Sequence, residues 1–86
     1  MFVTEYYGEN TKQGVFIRLH KYHNHAFRDA RDDLKESLSM YEQSIQDNAE
    51  IDFVLEDNST IVRIINPDTG HEYEAFVITD RVVIEE

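Results

Sequence analysis

Hydrophobic and polar positions alternate with a period of two over most of this chain and with a period near 3.6 over one long stretch. Residues 2–7 (Phe-Val-Thr-Glu-Tyr-Tyr) are rich in strand formers. A polar loop from Gly8 to Gly14 separates them from residues 15–22, where Val15, Ile17 and Leu19 point one way and Arg18 and His20 the other. The two segments are expected to pair as a hairpin. Apolar residues then recur in steps of three and four at Phe27, Ala30, Leu34, Leu38, Tyr41 and Ile45, one stripe of an amphipathic helix from about residue 24 to 48. Asn24 is the expected N-cap, Asp29 lies close enough to the start to favour the helix dipole, and Asp47-Asn48 offers a stop.

Short strands follow. Ile51, Phe53 and Leu55 alternate with Asp52, Val54 and Glu56, and Asp57-Asn58-Ser59 reads as a turn. Thr60 to Ile65 is β-branched and almost wholly apolar. Asn66-Pro67-Asp68-Thr69-Gly70 combines a fixed φ, an Asp side chain able to bond its own backbone and a residue tolerant of positive φ. Residues 72–78 form the next strand, Thr79-Asp80-Arg81 a break, and Val82 to Ile84 a last strand. The expected order is β-β-α-β-β-β(-β): an α+β fold, one long helix on an antiparallel sheet, in a single domain over residues 1–86.

One helix covers one face of a sheet. With Phe53, Val62, Ile64, Val82 and Ile84 beneath it, the other face keeps Val54, Ile61, Ile65 and Val83, where a solvated face would turn polar. A 25-residue helix spans roughly 37 Å against about 20 Å for a six-residue strand, so its overhanging end leaves Tyr41 and Ile45 partly uncovered. These six apolar residues (Val54, Ile61, Ile65, Val83, Tyr41, Ile45) are the expected interface of a homodimer.

Composition narrows the function classes. The 86 residues are 41% hydrophobic with five Tyr and five Phe, too apolar for a disordered chain. There is no cysteine, hence no disulfide, which fits a reducing, cytoplasmic setting. No signal-peptide pattern opens the sequence and no apolar run has the length of a membrane span. Charge is asymmetric. Residues 1–35 carry six basic and five acidic side chains, a net +1, whereas residues 36–86 carry two basic and thirteen acidic ones, a net −11. Direct nucleic-acid or anionic-membrane binding is thereby disfavoured, and a protein partner with a basic surface is favoured. Asp52, Glu56, Asp57, Asp68, Glu72, Glu74 and Asp80 are the candidate partner-binding residues; Glu72 and Glu74 stand at i, i+2, roughly 6.6 Å apart along one strand. Such a surface can imitate the phosphate row of a nucleic acid or simply keep the protein soluble.

His20, His23 and His25 form the densest chemical cluster and are weak candidate metal ligands, with Asp29 near enough to add a carboxylate; a polar strand–helix junction explains them as well. His23-Asn24-His25 lacks the apolar middle residue of the His-hydrophobic-His nickase signature, and Arg18 to His23 sits on a strand, unlike the Arg-x4-His of all-helical ribonucleases. Asp29, Asp32, Asp33 and Glu36 share a helix with Arg28, Arg31 and Lys35, the pattern of a salt-bridged solvent face. No phosphate loop, nucleophile elbow or Cys/His pair occurs, so the chain is expected to be non-catalytic and to need no cofactor. Its order of hairpin, amphipathic helix and strands resembles the small acidic antitoxins that begin with a partial ribonuclease-H-like domain, Ala26 to Met40 being similar to their helix. It lacks the Pro-Gly-Cys segment usual before that helix, and its C-terminal strands differ. The acidic C-terminal part and the absence of a catalytic motif point to an inhibitor, antitoxin-like or phage-type accessory protein that docks on a basic partner. The alternatives are a homo-oligomeric assembly protein and a His-based metal-binding protein.

Overall fold

A computed structural model describes residues 1–8 and 13–81. Five strands, β1 (Phe2–Gly8), β2 (Val15–His20), β3 (Glu50–Leu55), β4 (Ser59–Ile65) and β5 (Glu72–Asp80), form one antiparallel sheet in the order β2-β1-β5-β4-β3. Helix α1 (His23–Leu38) and the short α2 (Gln43–Asn48) join the hairpin to β3. The fold is α+β, as the period analysis expects. The expected strand at Val82 to Ile84 lies outside the described residues.

α1 packs on one face through Ala26, Ala30 and Leu34, each 1% exposed or less. The two alanines let the helix axis approach closely, and Leu34 fills the space above Val62 and Ile64 of β4 and Phe76 and Ile78 of β5. Phe53 shares this face but is 55% exposed, held edge-on against Phe27. Val54 and Ile61 are cross-strand partners on the opposite face. They are only half-buried, as the one-helix argument requires, but Ile65, expected to be uncovered with them, is buried at 8% exposure.

Four local expectations fail for identifiable reasons. The long helix breaks after Leu38. There the Ser39 hydroxyl donates to the Glu36 carbonyl, and Met40 and Tyr41 N–H groups donate to Ser37 and Leu38 carbonyls three residues back, tightening the last turn. The break lets the stripe residues Tyr41 and Ile45 stay half-buried near the sheet instead of overhanging it. α1 begins one residue before Asn24, with Tyr22 at the N-cap and no capping side chain; Asp29 serves the β2 network described below. β5 runs through Thr79 to Asp80 because pairing with both β1 and β4 satisfies its backbone. At the 66–70 turn it is Asn66, not Asp68, that bonds the backbone: its Oδ1 accepts from the Asp68 and Thr69 amides, and Gly70 takes φ 77°.

Candidate functional site

Antiparallel pairing sorts the charges toward the two ends of the sheet. At one end lie the start of β1, the ends of β2, β3 and β5, the start of β4 and the N-terminus of α1. At the other lie the C-terminus of α1, α2, the starts of β3 and β5 and the β4–β5 turn. The second end gathers Glu36, Glu42, Asp47, Glu50, Asp68, Glu72 and Glu74. Among the described residues its arginine and lysine side chains are Lys35 of the last turn of α1 and Arg63, and Arg63 is already occupied.

At this acidic end a β-bulge sets up a cleft. Ile64 pairs with Glu74 but the next residue, Ile65, pairs with Glu72, so Tyr73 is an extra residue on β5. The bulge breaks the strict alternation that would place Glu72 and Glu74 on one face. Glu74 turns under the helix, while Glu72 stays with Arg63 on the open face, 3.6 Å from its guanidinium. Tyr73 packs on the helix-side core beside Tyr41, ring centroids 5.6 Å apart.

The Glu74 carboxylate accepts three hydroxyl hydrogen bonds. Tyr6 donates to Oε1 at 2.6 Å; Ser37 and Tyr41 donate to Oε2 at 2.5 and 2.6 Å. Burial pushes its pKa up, but the donors from Ser37, Tyr41 and Tyr6 more than offset this and hold it below the usual value. The reciprocal effect falls on Tyr6: burial, then the hydrogen bond to Glu74 and its charge, push the phenol up to about 12. Tyr6, Ser37, Met40, Tyr41, Tyr73 and Glu74 line an open cleft of about 330 Å³. No basic side chain among the described residues pairs with Glu74.

The other acidic residues singled out in the sequence do not form one surface with Glu74. Asp52 is held by Arg63, whose Nε donates to Oδ1 at 2.8 Å. Glu56 and Asp57 are exposed at the β3–β4 turn, at the far end of the sheet, and Asp80 lies 3.7 Å from the N-terminal ammonium at that same end. Asp68 is exposed in the β4–β5 turn, on the cleft's end. The apolar set divides likewise: Val54, Ile61 and Ile65 belong to the open face, Tyr41 and Ile45 to the helix side, and Val83 lies outside the described residues.

The histidines do not converge. His20 Nε2 lies 2.8 Å from Asp29 Oδ2, and His23 Nε2 lies 2.9 Å from Thr60 Oγ1 with its ring between Phe2 and Phe27. His25 is exposed against Tyr22. Among the described residues no three His, Asp or Glu side chains are placed to hold a metal ion. Asp29 and Asp33 are not a solvated helix pair: Arg18 of β2 reaches both, which ties α1 to the hairpin. The His20 hydrogen bond, opposed by desolvation, holds the Asp29 carboxyl below its usual range.

Sequence reasoning missed Tyr6, Ser37, Met40 and Tyr73 as cleft residues. The signal for them is weak: a serine in the last turn before the helix break and an unpaired tyrosine in a strand acquire meaning only through the bulge. Comparison with protein-family models, curated proteins and solved structures returned no match. No helix among the described residues is long and apolar enough to cross a membrane.

Proposed function

We propose that this chain is a non-catalytic binding module that docks a basic segment of a partner protein at the acidic end of its sheet. The observation that carries this reading is Glu74. It is an ionised carboxylate at the head of an open cleft, stabilised by three hydroxyls and paired with no basic side chain among the described residues, with Glu36, Glu42, Asp47, Glu50, Asp68 and Glu72 on the same end. Long-range attraction to such an end would speed encounter with a basic surface and decay with salt. Glu56, Asp57 and Asp80 fall outside the proposed surface.

An octalysine peptide titrated by calorimetry at low and high salt tests the proposal. Binding should weaken steeply with salt. The double substitution Glu42→Lys with Glu50→Lys should weaken it by about tenfold, a loss of roughly 1.4 kcal/mol, while Glu56→Lys with Asp57→Lys should have a much smaller effect. Equal losses from the two pairs, or salt-independent binding, would reject the location or the mechanism.

A second reading has its own observation. β2 is an edge strand whose Val15, Phe16, Ile17 and Leu19 are 52, 58, 38 and 46% exposed, an unprotected apolar edge of the kind that pairs with another chain. We propose self-association through this edge as the alternative role. Light scattering should then report a dimer that Ile17→Lys disperses; a monomer at high concentration would remove this reading.

A further inference from the structure

We infer that the outer edge of β3 is a receptor for an extended cationic segment of another protein, which joins the sheet as a further strand; the inference goes beyond the docking reading and stands on a different part of the molecule. Three features of the edge select that occupant.

The first is the backbone. Among the described residues β3 closes one side of the sheet and pairs with β4 alone. Glu56 and Ser59 exchange N–H to C=O bonds across the β3–β4 turn. Antiparallel pairing alternates bonded and non-bonded pairs. Counting back from Glu56 along the unshifted register, Val54, Asp52 and Glu50 bond β4, whereas Leu55, Phe53 and Ile51 direct their N–H and C=O groups outward. These are the groups and the spacing that an added antiparallel strand uses. β3 contains neither proline nor lysine and carries no bulge, the devices that close an edge to pairing.

The second is the side chains of the same residues. Phe53 and Leu55 are 55 and 70% exposed on the helix side, and Phe27 of α1 stands edge-on to Phe53 with ring centroids 5.3 Å apart. Alternate side chains of an added strand would lie beside them, so that face of the occupant is apolar.

The third is charge. The other face of β3 carries Glu50 and Asp52, and the exposed Glu56 and Asp57 follow its last residue. Arg63 is shared between Asp52 and Glu72. Opposite charges across strands stabilise pairing and like charges oppose it. A second copy's β3 would bring the same four acids to the edge, and the Arg18 of a second copy's β2 is already held by Asp29 and Asp33. The occupant that fits is a strand of another protein, apolar on one face and rich in lysine or arginine on the other.

The test uses the full isotope-labelled chain and the synthetic peptide acetyl-Val-Lys-Val-Lys-Val-Lys-amide, followed by backbone NMR. Saturable shifts at the Ile51, Phe53 and Leu55 amides with a Kd of about 1 mM or tighter are expected. With its valines opposite those residues, the valine N–H groups of the peptide face β3 and the lysine N–H groups face away. N-methylation of the valines should abolish the shifts, and N-methylation of the lysines should preserve them. The block peptide acetyl-Val-Val-Val-Lys-Lys-Lys-amide, and the alternating peptide with glutamate in place of lysine, should each bind at least tenfold more weakly. Leu55→Pro removes an outward N–H and spares the β4 ladder, and should weaken the alternating peptide at least tenfold in a chain whose cooperative melt shows it folded. Glu50→Lys should weaken it several-fold. No saturable shift at these amides, equal binding by the two N-methylated peptides or by the glutamate peptide, or full affinity in both variants would overturn the inference. So would shifts at the same amides that grow with protein concentration alone, which would assign the edge to a second copy. Octalysine has no apolar face and should leave the Phe53 and Leu55 amides unmoved. If octalysine binds and the alternating peptide does not, the β3 receptor falls and the docking reading stands; the reverse result removes the docking reading and leaves the β3 receptor.

Discussion

Replacing Tyr6 with phenylalanine deletes one oxygen and, with it, one of the three donors that hold Glu74 ionised under the helix. A hydrogen bond to a charged acceptor contributes about 1.5–3 kcal/mol to stability. Glu74 keeps Ser37 and Tyr41 and remains partly open to water through the cleft, so the loss should fall at or just below the bottom of that range, about 1–1.5 kcal/mol at neutral pH. For a domain of this size that lowers Tm by roughly 4–12 °C. The effect has a pH signature on both sides. Glu74 has a folded pKa below its ordinary 4.5, so its stabilising ionisation is present above 4.5 and disappears as pH falls through the depressed folded value. Tyr6 has a folded pKa raised from 10.0 to about 12, so the stability it carries is present below 10 and disappears as pH rises through 12. The difference between wild type and Tyr6→Phe, from urea unfolding across pH, should therefore be a plateau from about pH 5 to pH 10 that declines at both ends. A difference that is flat with pH would show that the phenylalanine acts through packing alone. No difference at neutral pH would show that the Tyr6–Glu74 bond adds nothing to stability.

Further expectations concern the core and the turn. Leu34 of α1 is fully buried against the sheet, so Leu34→Ala should cost about 3 kcal/mol in denaturant unfolding, a cavity and transfer loss together. Thr4 is 1% exposed and its Oγ1 has no hydrogen-bond partner among the described residues, so Thr4→Val should raise stability by about 1 kcal/mol, seen as a higher urea midpoint. Gly70 sits at φ 77° in open space, so Gly70→Ala should cost about 1 kcal/mol from backbone strain and not from a clash, and Gly70→Asn should cost less.

The two hydrophobic periods made the α+β class and the hairpin legible. They also gave the β3-β4-β5 meander and the half-covered open face, because burial on one face leaves a pattern that local sequence cannot hide. The break after Leu38 was not legible: Leu38, Tyr41 and Ile45 keep helical spacing across it, and only the capping geometry at Ser39 stops the helix. The pairing of β1 with β5 is a long-range choice with no local mark. The same holds for the site. Glu74 was legible as an acidic candidate, but counting by twos set it beside Glu72, whereas the bulge at Tyr73 turns it to the other face. Charge asymmetry between residues 1–35 and 36–86 was legible and corresponds to a partial separation in space, since α2, β3 and the β4–β5 turn carry their acids to one end. Glu56, Asp57 and Asp80 escape that end because antiparallel strands return the chain to the opposite one.

The most direct measurement is to map where octalysine touches the protein, by backbone and side-chain NMR shifts on the isotope-labelled chain at low salt. Shifts centred on Ser37, Tyr41, Tyr73 and Glu74, fading as salt is added, are what a lysine-receiving acidic end predicts. Shifts centred on His23, Thr60 and Asp80, or none at all, would contradict it.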